Sequence, residues 1–127
     1  MADGDDSALD RASNVWLATV RADGRPHLTP IWFVYLDDRF WLCCNAGSVK
    51  NTNVHANPKV ALCLEDGNHP VVVEGTVVVH ERSYPPQVAD AFISKFGWDI
   101  NRVDDPDGDY GALFEVTVDR WLMGGPG

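Results

Sequence analysis

Residues 45–59 read Asn45-Ala46-Gly47-Ser48-Val49-Lys50-Asn51-Thr52-Asn53-Val54-His55-Ala56-Asn57-Pro58-Lys59, a polar run with two lysines, four asparagines and no carboxylate. No acidic residue occurs between Arg39 and Glu65, although Asp and Glu outnumber Lys and Arg by 19 to 10 over the chain. Ser48 is placed to cap a short helix that Asn57-Pro58 would end. Free N–H groups and the positive end of the helix dipole would then converge near Gly47-Ser48, with Lys50 in the first turn.

That combination suits a phosphate or a carboxylate. The alternative is a solvated helix that only connects two strands, which is the usual role of a short Ser-capped segment. Lys50 is one of only three lysines in the chain, and this favours the anion site.

The composition bounds the class of protein. A chain of 127 residues with 45% hydrophobic residues and five tryptophans predicts one ordered domain. A net charge of −9 argues against a nucleic acid or an anionic membrane as partner. No apolar run approaches the roughly 20 residues that cross a bilayer, and the Asp-rich start is unlike a signal peptide. Cys43, Cys44 and Cys63 match no metal spacing, and their odd number leaves at least one free thiol, so we expect a reduced, cytoplasmic protein.

Apolar strand patterns separated by turn residues predict six strands, at residues 15–20, 27–35, 40–45, 60–65, 71–81 and 113–119. Pro30 interrupts the second strand and implies an edge, a bulge or an opening toward a ligand, because proline cannot donate to a ladder. Gly75 predicts a bulge or a sharp bend in the fifth strand. Tight hairpins between short strands predict a mainly β fold, an antiparallel barrel with a helical cover.

The rest of the chain fits around that barrel. Residues 1–14 are predicted to form a flexible acidic N-terminus with a turn or two of helix near its end, and residues 15–127 a single domain. Pro85-Pro86 opens a longer helix at residues 87–96, and residues 99–110 form an acidic loop.

Acid–base and metal chemistry have little support in the sequence. The four histidines are scattered without paired spacing, and residues 104–109 lack the glycine position and closing Glu of a calcium loop. We therefore predict no catalytic side chain and no metal site. An anion-binding helix start, an opened strand and a nearby Trp32 instead suggest a bound cofactor that performs the reaction itself.

Several motifs, in this order and spacing, resemble a known family. They are Leu17-Ala18-Thr19-Val20-Arg21, Asp23-Gly24-Arg25-Pro26, Thr29-Pro30-Ile31-Trp32-Phe33, Gly47-Ser48-x-Lys50-x-x-Asn53-Val54, Asn57-Pro58-x-Val60-Ala61-Leu62 and Val73-Glu74-Gly75. Over residues 15–123 the chain resembles the pyridoxamine 5′-phosphate oxidase-like split-barrel superfamily. Within it, the chain is most similar to the small actinobacterial flavin/deazaflavin oxidoreductases of the B group.

The resemblance implies a six-stranded antiparallel split β-barrel with one longer and one or two short helices, and a homodimer with its cofactor sites at the subunit interface. It implies that Lys50, Ser48 and Asn51 hold a cofactor phosphate and that Asn45 lines the ribityl chain. Thr29, Pro30, Ile31 and Trp32 would lie along the tricyclic ring, and Trp121 would reach the site from the partner subunit. Thr52 stands where many members have a basic residue.

Two functions of different class follow. The first is an oxidoreductase that transfers a hydride between coenzyme F₄₂₀ and a conjugated small molecule, with FMN as the alternative cofactor. The second is a non-catalytic protein that binds the cofactor or a tetrapyrrole. The acidic tail of F₄₂₀ would need a positive path out of the site, which Lys50, Lys59, Arg21 and Arg25 could supply.

Overall fold

Alternation of buried and exposed side chains marks most strands of the computed structural model, which describes residues 8–125. The strands are β1 (Asn14–Val20), β2 (Pro26–Trp32), β3 (Val34–Leu36), β4 (Arg39–Cys44), β5 (Lys59–Leu64), β6 (Val72–His80) and β7 (Ala112–Met123). The helices are α1 (Val49–Ala56) and α2 (Pro86–Phe96), and residues 8–11 form a further helical turn. No helix in this range is long and apolar enough to cross a membrane.

All seven strands join one antiparallel sheet in the order β2-β1-β5-β6-β7-β4-β3. Its two edge strands, β2 and β3, are consecutive in the chain, and β2 also lies against β4. The sheet therefore curls until its edges approach each other, as expected for a mainly β split barrel.

The structure has seven strands where six were expected, because the predicted strand 27–35 is broken at Phe33. The Phe33 side chain is fully buried, and its N–H donates to the Ser13 carbonyl over 3.2 Å instead of joining a ladder. Pro30 is not the break: it lies opposite Trp16 in the β1–β2 ladder. The expectation that Pro30 marks a sheet edge is confirmed, since β2 is an edge strand.

The expected irregularity at Gly75 is also confirmed, because the register between β6 and β7 shifts between Glu74 and Gly75. A Cβ on Gly75 would lie 2.7 Å from the Thr117 carbonyl oxygen, closer than real side chains come. Glycine is needed there because another strand's backbone passes over it.

Both predicted helices are present. Ser48 caps α1 with its Oγ accepting the Asn51 N–H over 3.3 Å, and Asn57 ends it. α2 begins at Pro86 and ends at Gly97, whose φ of 65° lies in the left-handed region that glycine favours.

Two apolar clusters share the interior. The larger fills the barrel and includes Phe33, Phe40 and Phe114, and the smaller packs Val88 and Phe92 of α2 against the outside of the sheet. Residues 1–7 of the predicted flexible N-terminus lie outside the described residues. Leu9 is fully buried in the barrel cluster, so the packed part of the chain begins before residue 15.

Candidate functional site

Helix α1 is placed by one contact with strand β1 and one with the barrel core. Asn53 Nδ2 donates to Thr19 Oγ1 over 3.0 Å, with both side chains almost fully buried, and the neighbouring Val54 enters the barrel core. Thr19 lies opposite His27 in the β1–β2 ladder. The first turn of α1 is therefore held beside one end of the first hairpin.

The side chain of Lys50, in that first turn, has no hydrogen bond or ion pair with any residue in the range 8–125. Its positive charge acts on His27 and on the Cys44 thiol, so the ammonium group lies near both. An unpaired lysine at a helix start is free to meet an anion.

His27 lies near Lys50, and no pattern in the sequence marks it as a site residue. Its Nδ1 is buried and has no hydrogen-bond partner in the described part of the chain. Burial lowers the pKa of His27, and the charges of Arg21 and Lys50 lower it further. Arg21, His27 and Lys50 therefore form one basic cluster, which an anion would stabilise.

Of the other basic residues considered for a positive path, only Arg21 joins the cluster. Its Nη1 donates to the Pro26 carbonyl over 2.9 Å. Arg25 pairs with Asp23 over 2.7 Å, and Lys59 pairs with Asp119 over 3.7 Å. A carboxylate partly neutralises each of these two charges.

The start of α1 differs from the prediction that free N–H groups converge near Gly47-Ser48. The N–H groups of Gly47 and Ser48 are not free, because Asn45 accepts both, through Oδ1 over 3.1 Å and through its carbonyl over 3.0 Å. Asparagine closes such local turns readily. The predicted role of Asn45 along a ribityl chain stays a prediction, and its side-chain oxygen is already used.

Only one of the two polar groups of the Asn51 side-chain amide has a partner in the described part of the chain. Its Nδ2 donates to the Ala46 carbonyl over 2.8 Å, while its buried Oδ1 has no partner among residues 8–125. A ligand hydroxyl or N–H would satisfy this acceptor. Ser48 Oγ, by contrast, accepts the Asn51 N–H and lies 3.7 Å from Cys44 Sγ.

The four residues predicted to lie along a ring divide between the two faces of β2. Thr29 and Ile31 are half-buried on the same face as His27, whereas Pro30 and Trp32 are exposed on the other. This division follows from the alternation of side chains along a strand. His27 and Trp32 are five residues apart, which spans about 17 Å along an extended strand.

Trp32 forms part of an aromatic groove of about 420 Å³. Its ring stacks on Phe96 with centroids 4.4 Å apart and meets the edge of Trp98 at 5.9 Å. The residues that line the groove are Ile31, Trp32, Cys43, Phe96, Trp98, Asp105, Asp107 and Tyr110. Five of them come from residues 96–110, a region in which the sequence predicted only the end of a helix and an acidic loop.

Trp121 lies on β7, within hydrophobic contact of its own barrel. Its ring centroid is 6.1 Å from that of Phe40 and 6.3 Å from that of Tyr35. Its predicted contribution to a partner's site stays a prediction.

The cysteines are all free thiols, as expected. Burial raises the pKa of Cys43 to about 12 and raises that of Cys44 as well. Both therefore stay protonated at neutral pH and act as small apolar residues rather than nucleophiles.

Comparison with known proteins gives one family. Residues 6–123 match the pyridoxamine 5′-phosphate oxidase family. No curated protein matches the chain.

Solved structures share the fold at low sequence identity. HutZ, described as the heme storage protein from Vibrio cholerae, is 19% identical with a TM-score of 0.78, covering 99% of this chain and 96% of its own. A protein described as an F₄₂₀ reductase is 23% identical with a TM-score of 0.69, covering 91% and 94%. A putative pyridoxamine 5′-phosphate oxidase from Listeria innocua is 14% identical with a TM-score of 0.68, covering 96% of both chains.

Proposed function

Because this chain belongs to the pyridoxamine 5′-phosphate oxidase family, we propose that it is an oxidoreductase that uses a flavin-type cofactor, coenzyme F₄₂₀ in preference to FMN. The observation that carries this proposal is the cluster of Arg21, His27 and Lys50 at one end of β2, with an aromatic groove at the other. A phosphate at the cluster would direct the cofactor ring along β2 toward Ile31, and a substrate in the groove would lie beyond the ring.

The residues present fit such a cofactor. Lys50 lacks an anionic partner within residues 8–125, and two buried polar atoms, His27 Nδ1 and Asn51 Oδ1, have no partner there. A buried polar atom left unpaired costs about 1–3 kcal/mol, which a bound ligand would relieve. Lys50 and His27 would meet the phosphate, and Asn51 Oδ1 would accept from a hydroxyl group of the cofactor.

When bound, the cofactor ring supplies or accepts the hydride. The protein's part is to bind and orient, since Asp105 and Asp107 are the only charged side chains that line the groove among residues 8–125. Ile31 would set the plane of the ring from the half-buried face of β2. The stacked rings of Trp32 and Phe96 would keep water from the reacting atoms.

A homodimer is part of the proposal. Strand β2 is a sheet edge with outward-facing apolar side chains, among them Leu28, which is 62% exposed. Such an edge is a liability for a monomer, and a second copy would cover it together with the cofactor.

The preference for F₄₂₀ rests on the resemblance to the deazaflavin group, and the fold shared with an F₄₂₀ reductase supports it. Arg21 and Lys50 both act on His27, so the site has a second positive charge besides that of Lys50. The acidic tail of F₄₂₀ would use that charge in a protein whose net charge is −9.

The second candidate is a non-catalytic binder of the cofactor or of a tetrapyrrole, and the fold shared with a heme storage protein favours it. One experiment separates the two. The protein is mixed anaerobically with reduced F₄₂₀ and then with a panel of conjugated carbonyl and quinone acceptors, while the absorbance of oxidised F₄₂₀ is followed.

An oxidoreductase reoxidises the cofactor with at least one acceptor, faster than buffer or boiled protein does. Stable binding of F₄₂₀ without such turnover favours a carrier. Tight binding of heme with no binding of F₄₂₀ or FMN favours the tetrapyrrole function.

A further inference from the structure

The aromatic groove carries negative charge on one side. Asp105 and Asp107 line it, and neither has an ion-pair partner among the described residues. The neighbouring carboxylates differ: Asp104 pairs with Arg102 over 2.8 Å, and Asp109 pairs with Arg82 over 3.1 Å. The two carboxylates that face the groove are thus left without a paired cation.

Asp105 is also held in place. Its Oδ2 accepts the Trp98 Nε1–H over 3.2 Å, and its Oδ1 accepts the Asp107 N–H over 2.9 Å. These contacts fix the charge against the indole edge. Burial raises the pKa of Tyr110, and the charges of Asp107 and Asp105 raise it further, so both carboxylates lie near that ring.

Most of the other residues that line the groove are aromatic. Trp98 meets Tyr110 edge to face with centroids 4.9 Å apart and also meets the exposed Trp32. Aromatic faces attract cations through their quadrupoles, and carboxylates attract them directly. A volume of about 420 Å³ admits a bicyclic molecule.

The nearest lysine does not occupy the groove. Lys95 Nζ donates to the Phe33 carbonyl over 3.0 Å and lies 4.1 Å from the Phe33 ring centroid. Its Nζ is 5.4 Å from the ring centroid of Phe96, which lines the groove. The ammonium group is bound instead to Phe33, the residue between β2 and β3. Arg102 is bound to Asp104 and screens Asp105 only in part.

We propose that this groove binds the substrate and that the substrate is an aromatic organic cation, such as a pyridinium or quinolinium ring, held against the aromatic side chains of the groove with its charge toward Asp105 and Asp107. The assignment of the ligand as substrate rests on the proposed oxidoreductase function. The proposal that the groove binds an aromatic cation does not depend on that function.

The test compares two probes of equal shape, N-methylquinolinium and 1-methylnaphthalene, by tryptophan fluorescence titration of the cofactor-free protein. We expect the cation to bind at least about tenfold more tightly than its neutral counterpart. Asp107→Asn should lower the affinity for N-methylquinolinium several-fold, and the double variant Asp105→Asn/Asp107→Asn should lower it about tenfold or more. Neither variant should change the affinity for 1-methylnaphthalene much.

Asp38→Asn is the matched control, because it removes one charge from the turn between β3 and β4 and should change neither affinity. Asp107 makes no side-chain hydrogen bond within residues 8–125, so its variant preserves the fold, which thermal unfolding checks. Equal affinity for the two probes, or a cation affinity unchanged in the double variant, would overturn the proposal. Loss of probe binding as the protein concentration rises would assign the groove to a second copy and overturn it as well.

The outcome is separable from the cofactor proposal. Selective binding of the cation by a protein that binds neither F₄₂₀ nor FMN would retain the cation site and remove the oxidoreductase. Binding of F₄₂₀ or FMN without selectivity for the cation would retain the cofactor site and remove the cation site.

Discussion

At the scale of single residues, His27 adds a pH dependence to the candidate anion site. Its Nδ1 is buried without a partner in the described range, and burial together with Arg21 and Lys50 lowers its pKa. The free protein therefore holds a neutral imidazole near pH 7. A bound phosphate would favour the protonated form, because the ion pair and the Nδ1–H donor both stabilise the anion.

We therefore expect the affinity for F₄₂₀ to increase as the pH falls below neutrality, by at most about tenfold per pH unit since one proton is involved. The increase should stop once the pH is below the lowered pKa of the free imidazole. Calorimetric titration at several pH values measures it. His27→Gln should abolish the slope, and an equal slope in this variant would remove His27 from the site.

At the scale of secondary structure elements, helix α1 depends on one buried hydrogen bond. Asn53 Nδ2 and Thr19 Oγ1 are each other's partners across the helix–strand contact. Asn53→Ala should lower the free energy of unfolding by about 1–3 kcal/mol, because it leaves the Thr19 hydroxyl buried and unpaired.

Urea unfolding of Asn53→Ala, Thr19→Val and the double variant measures this cost. The double variant should lose less than the sum of the single losses, since the second change removes a group already unpaired. Thr52→Ala, exposed on the same helix, is the control and should change stability by no more than about 0.5 kcal/mol. Additive losses would show that the two side chains do not stabilise each other.

The elements that could be predicted from the sequence are those that local chemistry determines. Ser48 caps its helix through a contact with a residue three positions on. Gly75 could be recognised because a glycine inside an apolar strand indicates a bulge, although the contact that requires it comes from β7. The break at Phe33 could not be predicted, because its N–H is taken by Ser13 and its carbonyl by Lys95, far away in the chain.

The same reasoning applies to the candidate site. Lys50 could be identified because it stands at a predicted helix start in a segment without acidic residues. His27 was missed because its surroundings depend on the contact of α1 with β1. The groove was missed because it forms only where Phe96 at the end of α2 and Trp98 beyond it meet Trp32 of β2. Contacts between distant elements leave no local pattern.

At the scale of the whole molecule, the exposed edge strand β2 predicts a dimer in solution. Light scattering at micromolar concentration should give twice the mass of 14.0 kDa. Leu28→Lys should shift the protein toward monomer, because a charge on the outward face of an edge strand opposes pairing.

Val103 is 77% exposed in the loop after α2, so Val103→Lys is the matched control and should remain dimeric. A wild-type protein that stays monomeric at this concentration would contradict the dimer and the shared site together.

The net charge of −9 sets the conditions for the central measurement, since an acidic protein repels an acidic ligand unless its site is locally positive. That measurement is a titration of cofactor-free wild-type protein and Lys50→Ala with F₄₂₀ and with FMN, each at low and at high salt. A charge-assisted contact to phosphate contributes about 1.5–3 kcal/mol, so Lys50→Ala should weaken binding roughly 10- to 100-fold.

We predict that the wild type binds F₄₂₀ more tightly than FMN and that salt narrows the difference by screening the acidic tail. Preference for FMN at every salt concentration would replace the deazaflavin assignment with an FMN-binding protein of the same fold. An unchanged dissociation constant in Lys50→Ala would contradict the account, because the anion would then bind elsewhere.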